Sequence, residues 1–256
     1  EGTRRLLQAL QGFQVDQFVY SSTMLVHKAT QPGIAITEES PLEAHWAYPI
    51  SKLKTEQVIT AEHGDIPYVL LRIAGLYNDR GGAPTLTHQI KRIYERSFKS
   101  RFFAGDASHG QSYVHIEDLI KAFVRVIERR HRLPDDCKIL IGEPMAMSYQ
   151  ALQNEVGRLI HGESWETLSV PKPLAKTETW VEEKVDAATA KITDDHEPSF
   201  IRSFMIDRAD DHYEIDISQA RRLLDWQPEH TLRDTLPRII AALKDDSLAW
   251  YQENGL

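Results

Sequence analysis

The chain of 256 residues carries a formal net charge of -8, with 41% hydrophobic and 27% charged residues. These values predict an ordinary soluble globular protein, one large domain or a domain with a smaller lobe, and argue against a basic nucleic-acid-binding surface. No apolar run reaches the ~20 residues of a membrane-spanning helix, and the single cysteine, Cys137, excludes an intramolecular disulfide and fits a reducing, cytoplasmic compartment.

The first half of the chain alternates between helical and strand patterns. It predicts a helix at about 2–11, a strand at 18–20 running into Ser21-Ser22-Thr23, a helix at about 46–63 and a nearly continuous apolar strand at 67–74. Such a strand is typical of a parallel sheet that helices cover on both faces. The order of elements therefore predicts a doubly wound, Rossmann-like α/β fold.

The second half is predicted to consist of shorter elements. After a break at Gly81-Gly82, the pattern predicts a helix containing Ile90 and Ile93, short strands at 101–104 and 113–116, a helix at 117–128, a strand at 138–141, a helix at 149–160 with Ser148 as N-cap, a short helix capped at Asp216-Ile217-Ser218, and a last long helix opened by the capping-box spacing Thr231 to Asp234. The polar stretch 172–211 is predicted to be either a mobile excursion or a lid over a site.

Tyr48-Pro49-Ile50-Ser51-Lys52 is the main chemical signal. On a helix, positions i and i+4 share a face, so the phenol and the ammonium can serve one site. A free tyrosine, with a pKa near ~10, is a poor base at neutral pH, and a nearby lysine cation favours its phenolate. Pro49 is compatible with a helix whose first turn contains it. Alone the motif is weak, because chance produces this spacing often.

A second signal is the strand end Ser21-Ser22-Thr23. In an open parallel sheet, ligands bind at the carboxyl ends of the strands, where a hydroxyl can donate to a substrate oxygen. The alternative interpretation is a polar strand end whose hydroxyls bond the backbone of their own loop.

Together these motifs resemble those of the extended short-chain dehydrogenases/reductases, the NAD-dependent epimerase/dehydratase family. The resemblance covers nearly the whole chain in the family's order. It rests on Ser21-Ser22-Thr23, Tyr48-x-x-x-Lys52, Pro67-x-x-x-x-Arg72-x-x-x-x-Tyr77, the block from Gly105 to Asp118, and the segment Asp216 to Pro228 followed by Thr231-Leu232.

The resemblance implies a role for each matching residue. Thr23, Tyr48 and Lys52 would be catalytic, with Tyr48 as acid/base and Lys52 also bonding the nicotinamide ribose of NAD or NADP. Ser22, Ile73 and Ala74 would line the nicotinamide end, and Gly75 and Gln111 the substrate. Arg72 and Tyr77 have a structural interpretation, a strand-end ion pair and a packed aromatic ring.

The sequence departs from the family at its start. The family's first strand carries a glycine-rich loop whose backbone N–H groups hold the pyrophosphate, and none of the thirteen glycines here has that spacing. Glu1-Gly2-Thr3 matches the helix before the family's fourth strand. We therefore expect roughly the first 80–100 family residues to be absent, and the chain alone to bind a dinucleotide poorly.

Two further departures concern the substrate. Met24-Leu25 stand where the sugar-nucleotide dehydratases carry Asp-Glu, which argues against dehydration. Gln111 stands where the epimerases place an arginine for the diphosphate, and a neutral amide cannot make a charge-assisted contact. A UDP-sugar is thus less expected than the family name suggests.

The domains and binding partners follow from the same comparison. Residues 1–80 and 110–145 are predicted to form the Rossmann-like part, and 81–109 and 146–256 a smaller α+β substrate lobe. The partner is predicted to be a small molecule, with no membrane or nucleic acid, and a homodimer could form through the helices at 2–11 and 46–63. No metal site is predicted, since none of the eleven histidines has ligand spacing.

The predicted function is NAD(P)-dependent oxidoreduction or epimerisation. Hydride transfer would take place at a secondary alcohol or its ketone, with Tyr48 handling the proton. Two alternatives remain: a non-catalytic dinucleotide-sensing or scaffold protein on the same fold, and a binding domain with a chance Tyr-x-x-x-Lys.

Overall fold

The computed structural model describes residues 1–173, 175 and 203–256, so most of the polar stretch 172–211 lies outside the described residues. The contacts divide the chain into two units. The first comprises Glu1–Gly82, Gln111–Ala146 and His212–Ile239; the second comprises Ala83–Gly110, Met147–Asp211 and Ile240–Leu256. The segment 212–239, which the sequence pattern assigned to the substrate lobe, thus lies in the first unit. The binding roles of the two parts stay predictions.

The helices and strands of the described residues are numbered in chain order. They are α1 (Gly2–Leu10), β1 (Phe18–Thr23), α2 (Ala47–Glu62), β2 (Tyr68–Ile73), β3 (Gly75–Asn78), β4 (Gly81–Gly82), α3 (Pro84–Tyr94), β5 (Phe102–Ala104), β6 (Gly110–Gln111), β7 (Tyr113–His115), α4 (Ile116–Glu128), β8 (Asp136–Ile141), β9 (Met147–Ser148), α5 (Tyr149–His161), β10 (Leu168–Val170), α6 (Ser203–Asp207), α7 (Ser218–Leu224), α8 (Leu232–Asp245) and α9 (Ser247–Glu253).

The first unit is built on a parallel sheet. Its strand order is β1-β2-β8, and all pairs are parallel. Alternate residues of β2 face opposite sides, as the period of a strand requires. Tyr68 and Leu70 pack with Leu7 of α1 and Ile59 of α2. Val69 and Leu71 belong to a second core whose other members include Leu119, Ala122 and Val126 of α4 and Ala220 and Leu224 of α7.

Burial on both faces explains why β2 is apolar almost throughout, and the predicted Rossmann-like, doubly wound fold is confirmed. A smaller sheet in the same unit has the order β4-β3-β7, with β3 and β7 parallel. The buried Cys137 in β8 is the core residue that its neighbours predicted, and burial raises the pKa of its thiol to about 11.

The second unit combines helices with a two-stranded parallel sheet of β5 and β10. Helices α3 and α5 pack on each other, and the buried Gln89 amide donates to Gln153. Gln153 in turn donates to the carbonyl of Ser100 at 2.6 Å, and the indole of the buried Trp165 donates to the Ser100 hydroxyl. Buried side-chain amides thereby find partners within the unit, as burial demands.

Local capping follows the sequence signals. The Ser148 hydroxyl accepts from the Ala151 amide at the start of α5, and the Asp216 carboxylate accepts from the Ser218 amide at the start of α7. The Thr231 hydroxyl accepts from the Asp234 amide and donates to its carboxylate, which confirms that capping box. Among the described residues, no helix combines the length and the apolar character that crossing a membrane needs.

Candidate active site

Thr23 lies at the carboxyl end of β1, where ligands bind in open parallel sheets. The strand pairing places it level with Ile73 of β2, which in turn is level with Ile141 of β8. Its buried hydroxyl accepts the Leu25 amide at 3.3 Å and so caps a 3₁₀ turn, Met24–Val26. The structure therefore puts Thr23 beside Ile73, a residue predicted to line the nicotinamide.

Tyr48 and Lys52 lie in the first two turns of α2. Trp46 is the N-cap, so Pro49 lies in the first turn, where its missing N–H costs nothing. The Lys52 ammonium donates to the Ser21 carbonyl at 2.7 Å, and it lies 5.8 Å from the centroid of the Tyr48 ring. Partial burial lowers the pKa of Lys52, while the Tyr48 side chain stays half exposed. The phenol and the ammonium thus share one face of α2, and the ammonium reaches the end of β1.

Ser22 is buried and its hydroxyl donates to the Glu56 carboxylate. Glu56 is also held by Arg72, whose Nη2 lies 2.7 Å from Oε2 and whose Nε lies 3.2 Å from Oε1. The expected ion pair of Arg72 is confirmed, but its partner was missed. Two signals in the sequence could have found it. Arg72 is a charged residue in a strand that is apolar on both faces, so it needs a partner, and Glu56 is an acid one helical turn beyond Lys52.

Gly75 marks a place where the backbone approaches a ring closely. A Cβ there would stand 2.8 Å from the Tyr113 ring and 3.4 Å from the Gln111 Nε2 atom. The Gln111 side chain bonds the buried Tyr113 hydroxyl, and burial raises the pKa of Tyr113 to about 12. The structure therefore brings together the two residues predicted for the substrate side, Gly75 and Gln111. Ala74, beside them, is buried.

A half-buried carboxyl, Glu143, bonds the Tyr77 hydroxyl and was not anticipated. Its Oε1 accepts the Tyr77 hydroxyl at 3.1 Å and the Leu232 amide at 3.0 Å. Burial raises its pKa to about 7. Tyr77 packs edge-on against Tyr113, so the expected packed aromatic ring is confirmed. Glu143 is a titratable group close to the predicted substrate side.

One group of side chains resembles a metal site. His115, Glu117 and His230 each bring a potential ligand atom within 4.8 Å of the others. Yet His115 Nδ1 accepts from the Glu117 amide, so a neutral His115 carries its hydrogen on Nε2 and offers no lone pair there. The imidazole rings of His115 and His230 stack with their centroids 4.3 Å apart. Packed histidines explain this group better than metal ligands do, and the predicted absence of a metal stays a prediction.

A parallel sheet with helices on both faces, whose strand β1 ends in Thr23 and is bonded there by Lys52 of α2, defines a Rossmann-like protein. The model of the NAD dependent epimerase/dehydratase family matches residues 1–142, more than half of the chain. The chain belongs to this family, as the sequence motifs predicted.

Known relatives have the same fold. An uncharacterized UDP-glucose epimerase of Bacillus subtilis, YtcB, is 25% identical over 247 residues, which are 95% of this chain and 65% of that protein. The UDP-glucuronic acid 4-epimerase of Bacillus cereus, solved with NAD, has a TM-score of 0.68 at 21% identity, over 95% of this chain and 66% of that one. A dTDP-glucose 4,6-dehydratase of Bacillus anthracis with NAD has a TM-score of 0.70 at 16% identity, over 99% and 69%. The chain therefore spans about 65% of its curated relative's length.

Proposed function

We propose that the protein containing this chain is an NAD-dependent epimerase or oxidoreductase that transfers hydride at a secondary alcohol carbon of a nucleotide-activated sugar. The observation that carries the proposal is that Lys52, which lies 5.8 Å from the centroid of the Tyr48 ring, donates to the Ser21 carbonyl, two residues before Thr23 at the end of β1. Family membership and the activities named for its relatives support it.

In the proposed reaction, each residue moves or holds one proton. Tyr48, as phenolate, takes the proton of the substrate hydroxyl and returns it in the reverse step. Lys52, which donates to the Ser21 carbonyl, holds the strand end beside Thr23. Because Thr23 accepts from the Leu25 amide, its own hydroxyl hydrogen can be donated to the substrate oxygen. Bound NAD would supply the hydride acceptor and donor for the same carbon, and Lys52 would bond its nicotinamide ribose.

The residues present fit the nicotinamide end of the cofactor. Ile73 lies level with Thr23, and Gly75 follows at a position with no space for a side chain. Ser22 can only accept from the cofactor, because its hydrogen is committed to Glu56. The preference for NAD over NADP rests on relatives that were solved with NAD.

The substrate class follows from the relatives, with one restriction from this chain. Met24 is buried in the core and Leu25 packs against it, so no carboxylate occupies the two positions after Thr23. This favours epimerisation or oxidation over dehydration. Because Gln111 is neutral, we propose that other groups hold the diphosphate. The predicted homodimer stays a prediction.

The test is turnover by the complete natural protein with NAD and UDP-sugars. We expect Tyr48→Phe to lower kcat by at least about a hundredfold, the usual contribution of a general acid/base. The matched control is Tyr68→Phe. Tyr68 lies at the start of β2, far along the strand from Ile73, and its hydroxyl donates to the Thr60 hydroxyl at 3.5 Å. Equal turnover by the wild type and Tyr48→Phe would refute the acid/base role. NAD binding without turnover on any sugar nucleotide would favour the dinucleotide-sensing alternative.

A further inference from the structure

A buried network of charged and polar side chains lies beneath the proposed site. Arg72 is 1% exposed and Glu56 3% exposed, and the guanidinium binds the carboxylate through two nitrogens. Replacing a buried ion pair with apolar residues is often neutral or stabilising, so such a pair is weak evidence of a stability role. The role of the Arg72–Glu56 pair therefore has to be inferred from the other residues that the two side chains contact.

The remaining contacts of Arg72 reach the loop after Thr23. Its Nη1 lies 3.0 Å from His27 Nε2 and 3.1 Å from the Glu38 carbonyl oxygen. His27 Nδ1 lies 3.1 Å from the Ser40 carbonyl, so Nδ1 carries the hydrogen and Nε2 accepts from Arg72. The guanidinium therefore joins helix α2 to the loop that leaves β1.

The Glu56 carboxylate attaches α2 to β1 at a second point. Lys52 and Glu56 stand four residues apart on one face of α2. Lys52 donates to the Ser21 carbonyl, while Glu56 accepts from the Ser22 hydroxyl. Two successive residues of the strand end, directly before Thr23, are thus held by two successive turns of the helix that carries Tyr48.

We propose that Glu56 and Arg72 are positioning residues, which fix α2 on β1 so that the Lys52 ammonium stays at the Ser21 carbonyl, two residues before Thr23. This inference rests on the proposed function for its kinetic consequence, but its geometric claim can be measured separately. Neither residue is placed in contact with substrate. Each acts through Lys52 and the Ser21–Thr23 strand end.

The experiment compares Glu56→Gln and Arg72→Lys in the complete natural protein. Glu56→Gln keeps the shape and removes the charge; Arg72→Lys keeps the charge and removes the two-nitrogen contact. The matched control is Glu62→Gln, at the end of the same helix, which breaks the ion pair of Glu62 with Arg4 of α1. We expect kcat to fall about tenfold in both variants with KM within about twofold, since misplacement of a catalytic group acts on the transition state. The control should behave as the wild type.

A second readout is the pH dependence of kcat. If Lys52 is displaced from the strand end, the pH profile of kcat should differ from the profiles of the wild type and of Glu62→Gln. A pair that only stabilises the fold would lower the unfolding temperature and leave both kcat per folded molecule and the profile unchanged. That outcome in both variants would overturn the proposal.

A crystal structure of Glu56→Gln gives a readout independent of turnover. We expect the distance from Lys52 Nζ to Ser21 O, 2.7 Å here, to lengthen beyond hydrogen-bond range. An unchanged distance refutes the positioning role even if the wild type proves inactive. An inactive wild type with a lengthened distance refutes only the proposed function. If Glu56→Gln does not fold, the same distance is measured in Arg72→Lys, where it should lengthen likewise, and an unchanged distance there refutes the positioning role.

Discussion

The buried His27 predicts a specific loss of stability in mild acid. Burial, together with the neighbouring Arg72 charge, lowers its pKa from 6.5 to about 4. Between these values the unfolded chain binds a proton that the folded chain does not, so the free energy of unfolding must fall as the pH falls. Above the pKa of the unfolded chain, 6.5, His27 takes nothing from the free energy of unfolding. The loss is complete when the pH reaches the pKa of the folded chain, about 4.

The magnitude follows from the two pKa values. Lowering the pH from about 7 to about 5 should cost about 2 kcal/mol at this one residue, because a pKa difference of one unit is worth about 1.4 kcal/mol. The assay is urea unfolding at both pH values, with midpoint and slope fitted separately. The matched variant is His27→Gln, which can still accept from Arg72 and donate to the Ser40 carbonyl but cannot take up a proton.

Comparison of the two proteins isolates the histidine, because every other titrating group is shared. We expect the wild type to lose about 2 kcal/mol more than His27→Gln between about pH 7 and pH 5. Equal losses would refute the reasoning, since they would mean that His27 titrates alike in the folded and unfolded states.

Three further predictions concern the same unit. Gly75→Ala should lower the unfolding free energy by about 1–3 kcal/mol in urea titrations, because its Cβ would overlap the Tyr113 ring, whereas Gly2→Ala, with open space around it, should not. Glu143→Gln should remove a fall in stability as the pH rises through about 7, because the wild-type carboxyl is protonated more readily when folded; an unchanged pH dependence in urea would contradict this. Cys137 should react with a thiol reagent only at the rate of unfolding, since its thiol is buried with a pKa raised to about 11, and fast labelling of the folded protein would contradict this.

Much of the site's framework could be predicted from the sequence because its signals are local. The spacing of Tyr48 and Lys52 needs only helix geometry, and the position of Thr23 needs only the end of an apolar strand. The caps at Ser148 and Thr231 are likewise set within a few residues.

What could not be predicted depends on pairs that are distant in the chain. Ser22 and Glu56 are 34 residues apart, and Glu143 meets Leu232 across 89 residues. Their contacts follow from how helices and strands dock, which no single-sequence periodicity encodes. The strand β10 was missed for the same reason, because its three residues, two of them exposed, become a strand only by pairing with β5.

The one charge within β2 also constrains how that strand can be aligned. Because both faces of β2 are apolar, a shift of its register by one residue would still bury hydrophobic side chains. The free energy of hydrophobic burial alone would therefore change little. A one-residue shift would, however, turn Arg72 away from Glu56 and toward the apolar core that contains residues of α4. Burying a cation there without a partner would cost several kcal/mol of folding free energy. The Arg72–Glu56 pair thus specifies the register of β2 in the sheet. A fully hydrophobic strand at this place would not disfavour the shifted register in this way.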